Sequence, residues 1–387
     1  MWPSWWMPAP DPTGDALDSA SPHPALKSTR DMGNVGTRGL LIRCTAIGVG
    51  LLAALVLTEG MLRLLHLAPT NGLATVTEAE FRAVPGLLSP HQNFVDRRDP
   101  RLPHRVTTNS LGYRGSEFPL RKERGEVRVL FTGDSFAYGD FVNDDQTLTA
   151  QLAKRLAGSC ASVRVINAGL DAATIVDEAR MIARGLVVSP DLVVLLFSEN
   201  DVVDLNRRAT WDMLAENRRA KSRLPFSVLY PLLRRTALWN FALQVRAASW
   251  NREVRATKLE WAAATGEDSV TSRLREAYQR ELLALRDTLA ARRIPFVLVA
   301  YPLHFAVLRP SMRGQLVWLA RAAATTRVPM VNLLTPLGAS GLPADSLYFL
   351  PYDGHPSPRG YAIAAAYLAD RLRGDGLLGP RCHAGPH

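Results

Sequence analysis

Cysteine is scarce in this chain. There are three in 387 residues, with no C-x-x-C and no nearby histidine pairing, so a metal framework built on cysteine is excluded. Cys44 lies in an apolar run, while Cys160 and Cys382 are either two free thiols or a disulfide in an exported domain. Internal repeats are missing. No motif with base-reading or stacking residues stands out, so nucleic acid is not expected as a partner despite a formal charge of +10. What remains is ordinary globular material, 47% hydrophobic and 21% charged. The length allows one large domain or two small ones.

The positive charge is concentrated. Asn206 to Arg293 holds 18 Lys/Arg against 9 Asp/Glu, so one insert carries nearly all of the excess. Such a patch suits an anionic surface, either lipid head groups or an acidic glycan, or else it is a solvated helical face. Within it, Phe226–Val245 combines Leu, Tyr, Trp and Phe with Arg234-Arg235. A helix of that kind packs on the core as an ordinary amphipathic helix, lies on a membrane surface, or acts as a lid.

Residues 1–38, rich in Pro, Ser, Asp and Trp and without periodicity, read as a disordered cytoplasmic tail. Leu40 to Thr58 is apolar except for Arg43, which can snorkel, and its length is near the lower limit for crossing a bilayer. A cleaved signal peptide needs small residues after its apolar core. Here the chain reads Leu57-Thr58-Glu59-Gly60, without an A-x-A site. An uncleaved transmembrane anchor over 39–60 is therefore expected. Lys27, Arg30, Arg38 and Arg43 precede or open the span, and Arg63 stands nearly alone beyond it. That asymmetry predicts a single pass through the cytoplasmic (inner) membrane with the long C-terminal part outside, in the periplasm.

Residues 61–125 read as a connector, containing the glycine-punctuated loop Thr108–Gly115. From 126 to 375 the periodicity changes. Short apolar runs at Val127–Phe131, Val163–Ile166, Leu192–Phe197, Pro295–Ala300 and Pro329–Leu333 alternate with helical segments at Thr147–Ala157, Ile175–Leu186 and Arg359–Leu372. The helical insert spans about 206–293, and 376–387 is a tail. Strands alternating with helices predict an α/β fold with a parallel sheet covered on both faces. Such sheets bind ligands beyond the carboxyl ends of their strands.

Four polar constellations fall at those ends. Ser135 follows Thr132-Gly133-Asp134 at the end of the first sheet strand, where glycine permits a tight turn. Serine attacks an acyl carbon only when a base removes its proton. His355 is the candidate base, and Asp353, two residues before it, can fix the tautomer and stabilise the imidazolium. His304 is a rival base without an adjacent carboxylate. Asn167-Ala168-Gly169 and Asn200-Asp201 each follow an apolar run. The backbone amides of Ser135 and Gly169 and the side-chain amide of Asn200 are candidate oxyanion donors, each contributing roughly 3–4 kcal/mol when charge develops.

These residues resemble the SGNH (GDSL-type) hydrolase family, in its membrane-anchored bacterial form. Gly133-Asp134-Ser135 matches its first block. Asn167-Ala168-Gly169 is similar to the second, Ser198-Glu199-Asn200-Asp201 to the third, and Asp353-Gly354-His355-Pro356 to the fifth. The resemblance implies a flavodoxin-like three-layer sandwich over about Val127–Leu372, with no metal and no cofactor. It also implies Ser135, Asp353 and His355 as the triad and Ser135, Gly169 and Asn200 as the oxyanion hole. Ser198 stands where the family usually has glycine, and the Asp-to-His spacing is one residue shorter than the commonest form. The rival G-x-S-x-G elbow fails, because Ala137 occupies its last position. The expected activity is hydrolysis of O-acetyl or acyl esters on an envelope glycan or lipid through an acyl-enzyme at Ser135. The alternatives are an O-acyltransferase using the same triad and a non-catalytic glycan-binding envelope protein.

Overall fold

The computed structural model describes residues 37–65, 67, 83–97, 99, 101–160, 162–206, 209–233, 235–243, 245, 269–380 and 382. Most of the expected N-terminal tail (1–36), connector residues 66 and 68–82, insert residues 246–268 and tail residues 381 and 383–387 lie outside them.

The apolar run near the N-terminus forms helix α1, Thr37–Leu64. Its stretch Gly39–Leu64, with a mean hydropathy of 2.3, is long and apolar enough to cross a membrane. Leu41, Ile42, Ile47 and Leu52 are each more than 60% exposed, so the described chain does not cover the apolar stretch of this helix before Glu59. It continues past residue 60 because Met61-Leu62-Arg63-Leu64 offers no breaker. The connector is more structured than its composition suggests. It carries an antiparallel hairpin of strands β1 (Asn93–Asp96) and β2 (His104–Thr107).

Five apolar runs then build one sheet: β3 (Val127–Thr132), β4 (Val163–Asn167), β5 (Leu192–Ser198), β6 (Phe296–Tyr301) and β7 (Met330–Asn332). All pairs are parallel and the order is β4-β3-β5-β6-β7. In β3, β5 and β6 every residue is buried, as expected for strands covered on both faces. Alternation along each strand divides the core. Val127, Val129, Phe131, Val194, Leu196 and Val299 pack with Leu148 and Leu152 of one helix and Ala365 and Leu368 of another. Leu130, Val193, Leu195 and Leu298 pack on the opposite side with Ile175, Ile182, Tyr278, Leu282 and Leu319.

The helices are α2 (Ser135–Tyr138), α3 (Leu148–Leu156), α4 (Ile175–Gly185), α5 (Thr210–Lys221), α6 (Phe226–Leu233), α7 (Ser269–Ala291), α8 (Gly314–Thr326) and α9 (Pro358–Gly374), besides shorter turns. The result is a flavodoxin-like, three-layer α/β sandwich. Its strand order reverses at β3, between β4 and β5, and crevices at such a switch point receive ligands.

Cys160 and Cys382 form a disulfide, closing the alternative left open by the sequence. One reading of the insert is corrected. In the α6 region Leu224, Phe226, Val228, Leu229 and Leu232 are exposed and Tyr230 is buried, so this segment is not an amphipathic helix packed on the core. Its sequence, FSVLYPLL, is apolar on nearly every side, and one face cannot bury all of it.

Candidate active site

Ser135 opens α2 directly after β3. The turn between them depends on Gly133, whose φ of +153° is disfavoured for L side chains and whose added Cβ would lie 2.8 Å from Ala137 Cβ. Asp134 caps the turn, its Oδ1 accepting from Phe136 N at 2.9 Å. Ser135 is thereby held at the carboxyl edge of the sheet with 9% exposure.

The candidate base arrives on a different loop. Between Tyr348 and α9 the chain folds back on itself, with Phe349 N donating to His355 O at 3.0 Å and Asp353 N to Phe349 O at 2.9 Å. Asp353 Oδ1 then accepts twice, from the backbone N–H of His355 at 2.9 Å and from its Nδ1 at 2.5 Å. The first contact is the side-chain-to-backbone turn that Asp favours. It explains how a spacing of only two residues points carboxylate and imidazole the same way. His355 Nε2 lies 2.8 Å from Ser135 Oγ. The rings of Phe136 and Phe141 stand 5.0 and 5.2 Å from the imidazole, limiting its rotation. Burial disfavours the imidazolium, but the Asp353 carboxylate, its hydrogen bond, and the charges of Asp140 and Asp134 outweigh that, so the His355 pKa is raised above the ordinary 6.5.

His304 takes no part in this contact. Its Nδ1 is buried without a hydrogen-bond partner behind Gly354, and burial lowers its pKa against the pull of Asp353.

Gly169 and Asn200 flank the same edge from β4 and β5. Gly169 is pressed against α2, where an added Cβ would fall 2.2 Å from Tyr138 N. In this resting arrangement both amides are satisfied internally. Gly169 N donates to Asn167 Oδ1 at 3.0 Å. Asn200 Nδ2 donates to Asp134 Oδ2 at 3.1 Å and Asp204 Oδ2 at 3.0 Å.

Several residues around these groups gain a role that the sequence did not assign them. Ser198, at the position where the family usually has glycine, contacts Asp134 Oδ2 at 2.9 Å and also Asn200 Oδ1, tying the first and third blocks together. Asp204 stands four residues after Asn200 in one helical turn, a spacing that could have flagged it. Arg114, from the loop Thr108–Gly115, is buried and holds the far end of α2. Its Nη1 donates to Tyr138 O at 3.0 Å and Gly139 O at 2.7 Å, its Nη2 to Val142 O at 2.7 Å, and its Nε to Asp144 at 2.7 Å. Burial pushes the Glu199 carboxyl up to about 8 against a hydrogen bond from Leu303 N, so it is mostly neutral at pH 7.

The profile of the GDSL-like lipase/acylhydrolase family matches residues 131–363. The chain belongs to that family. This GDSL-type hydrolase is an ester-hydrolysing enzyme of the SGNH kind. Among solved structures it is similar to a lipase/acylhydrolase from Enterococcus faecalis, at 15% identity over 64% of this chain and 96% of that one, with a TM-score of 0.39. It is also similar to the acetylxylan esterase Axe2 from Geobacillus stearothermophilus, at 16% identity over 67% of this chain and 97% of that one, with a TM-score of 0.37. No curated protein matches it. The matched stretch of the GDSL-type hydrolase runs from the end of β3 into α9 and therefore contains Ser135, Gly169, Asn200, Asp353 and His355.

Proposed function

We propose that this hydrolase is a membrane-anchored serine esterase that removes O-acetyl or acyl groups from an envelope glycan or lipid outside the cytoplasm. The observation that carries the proposal is the relay from Ser135 Oγ to His355 Nε2 at 2.8 Å and from His355 Nδ1 to Asp353 at 2.5 Å. Ser135 Oγ attacks the ester carbonyl carbon as His355 Nε2 takes its proton. The tetrahedral oxyanion collapses, the C–O bond breaks, and the alcohol leaves with the proton from His355. Water, deprotonated by His355, then attacks the acyl-enzyme and releases the carboxylic acid and Ser135. Asp353 holds the imidazole's tautomer and stabilises its charge throughout.

The amides of Ser135, Gly169 and Asn200 serve the oxyanion. For Asn200 this means exchanging a carboxylate partner, Asp134 or Asp204, for the substrate oxygen. Helix α1 supplies the anchor in this reading. The Cys160–Cys382 disulfide favours an oxidising compartment for the domain. The basic insert supplies attraction to an anionic surface.

A serine-directed fluorophosphonate tests the nucleophile. It should label the protein, and Ser135→Ala should abolish labelling in a protein whose melting is unchanged. Undiminished labelling of that variant would remove Ser135 from the mechanism.

A further inference from the structure

Two features outside the active site meet at one place. The first is the exposed apolar segment of the insert: Leu224 is 79% exposed, Phe226 48%, Val228 61%, Leu229 45% and Leu232 60%. The second is the contact between the insert and the end of α1. Glu59 accepts from the backbone N–H groups of Ala237 and Leu238, both at 2.8 Å, at the start of the helical stretch 237–243. Arg63 pairs with Glu59 at 2.6 Å and donates to Arg235 O at 2.9 Å. Leu62 is buried against Ala237, Leu238 and Phe241.

The level of this contact follows from helix geometry. A span starting near Leu40 crosses a hydrocarbon core of about 30 Å in about 20 residues. It therefore leaves the core close to Glu59. Glu59 and Arg63 are the first acidic and basic residues after Arg43 in α1, and both are used to hold the insert. The segment immediately before the clamp is α6, so the clamp fixes α6 at the height where the bilayer ends. Its approach is basic: Arg219, Lys221 and Arg223 precede Leu224, with Arg219 and Arg223 exposed.

Apolar side chains beside a cationic flank, fixed at the exit of a span, are the features of an element lying in the interfacial layer. Water is a poor solvent for such exposed apolar side chains.

We infer that the segment Leu224–Leu232 is immersed in the outer head-group region of the bilayer that α1 crosses, as a second membrane contact beside the anchor. It rests on the reading of α1 as an anchor. The domain is then held at two points, with its orientation to the lipid surface fixed instead of free to swivel about α1.

The full chain carrying Cys44→Ser, labelled with an environment-sensitive fluorophore through Val228→Cys, Leu51→Cys or Val317→Cys in turn, tests this in phosphatidylethanolamine/phosphatidylglycerol vesicles. The Cys160–Cys382 disulfide is left intact, and turnover of a soluble p-nitrophenyl ester verifies that each variant is folded. The label at 51 should be quenched by lipids with a nitroxide deep in the chain, and the label at 317 by aqueous iodide. The label at 228 should shift to the blue and lose most of its emission to lipids with a nitroxide near the head group, with little loss to iodide. If 51 is lipid-quenched while 228 behaves like 317, the anchor stands and the second contact is overturned. If 51 is itself open to iodide, the anchor reading falls and the inference falls with it.

Discussion

At the scale of single residues, the site is organised around protonation. Because Asp353 and neighbouring carboxylates raise His355 above 6.5, the imidazole is charged over more of the acidic range than a free histidine would be. A charged imidazole cannot accept the Ser135 proton. The sign is therefore fixed: kcat/KM should rise with pH through an apparent pKa above 6.5 and level off once His355 is neutral. Asp353→Asn removes the largest of the influences that raise it, leaving Asp140 and Asp134, so the rising limb should move to lower pH while the plateau drops by about 10⁴-fold, as loss of the orienting carboxylate does in serine hydrolases. A pH–rate profile of wild type and variant checks both. A limb that stays in place in Asp353→Asn would separate Asp353 from the titration. The order Ser135, Gly169, Asn200, Asp353, His355 was legible in the sequence because each follows an apolar run or an Asp-x-His turn. The bonds that occupy Gly169 and Asn200 were not. They involve Asn167, Asp134 and Asp204, and only folding decides which neighbour an amide faces.

At the scale of elements, the five sheet strands were readable from continuous runs of β-branched and aromatic residues, with ends displaced by a residue or two where pairing continued into polar positions such as Asn167 and Ser198. The β1–β2 hairpin was not. Its strands have four residues each, NFVD and HRVT, too short and too mixed for periodicity to register. Arg114 reaches four groups 24 to 30 positions further along the chain, and local sequence carries no trace of that. One tight junction between elements is where β4's exit meets α2. Gly169→Ala must push the backbone of Tyr138 away, because the added carbon would otherwise sit 2.2 Å from its nitrogen. Overpacking of this kind costs about 1–3 kcal/mol. The variant should melt several degrees lower, and turnover should fall because α2 carries Ser135. Unchanged melting and unchanged turnover would mean the junction is more compliant than its geometry implies.

At the scale of the whole molecule, the sequence pattern anticipated the α/β sandwich and the apolar helix before it. How that helix meets the basic insert was invisible, since Glu59 and Ala237 are 178 positions apart. The disulfide between Cys160 and Cys382 has a topological consequence of its own. It turns the stretch from 160 to 382 into a covalent ring with an N-terminal arm. The arm bears α1 and Ser135, while Gly169, Asn200, Asp353 and His355 all ride on the ring. A protease that nicks the insert opens this ring without releasing a fragment, although it places Ser135 and His355, the proposed nucleophile and base, on separate polypeptides. The nicked protein should migrate as one species on a denaturing gel without reductant and as two with it. It should remain active until the disulfide is reduced, after which the packing of α7, β6, α8, β7 and α9 against the other piece holds His355 opposite Ser135. Separation of the two pieces in the absence of reductant would show that the ring is not closed in the mature protein.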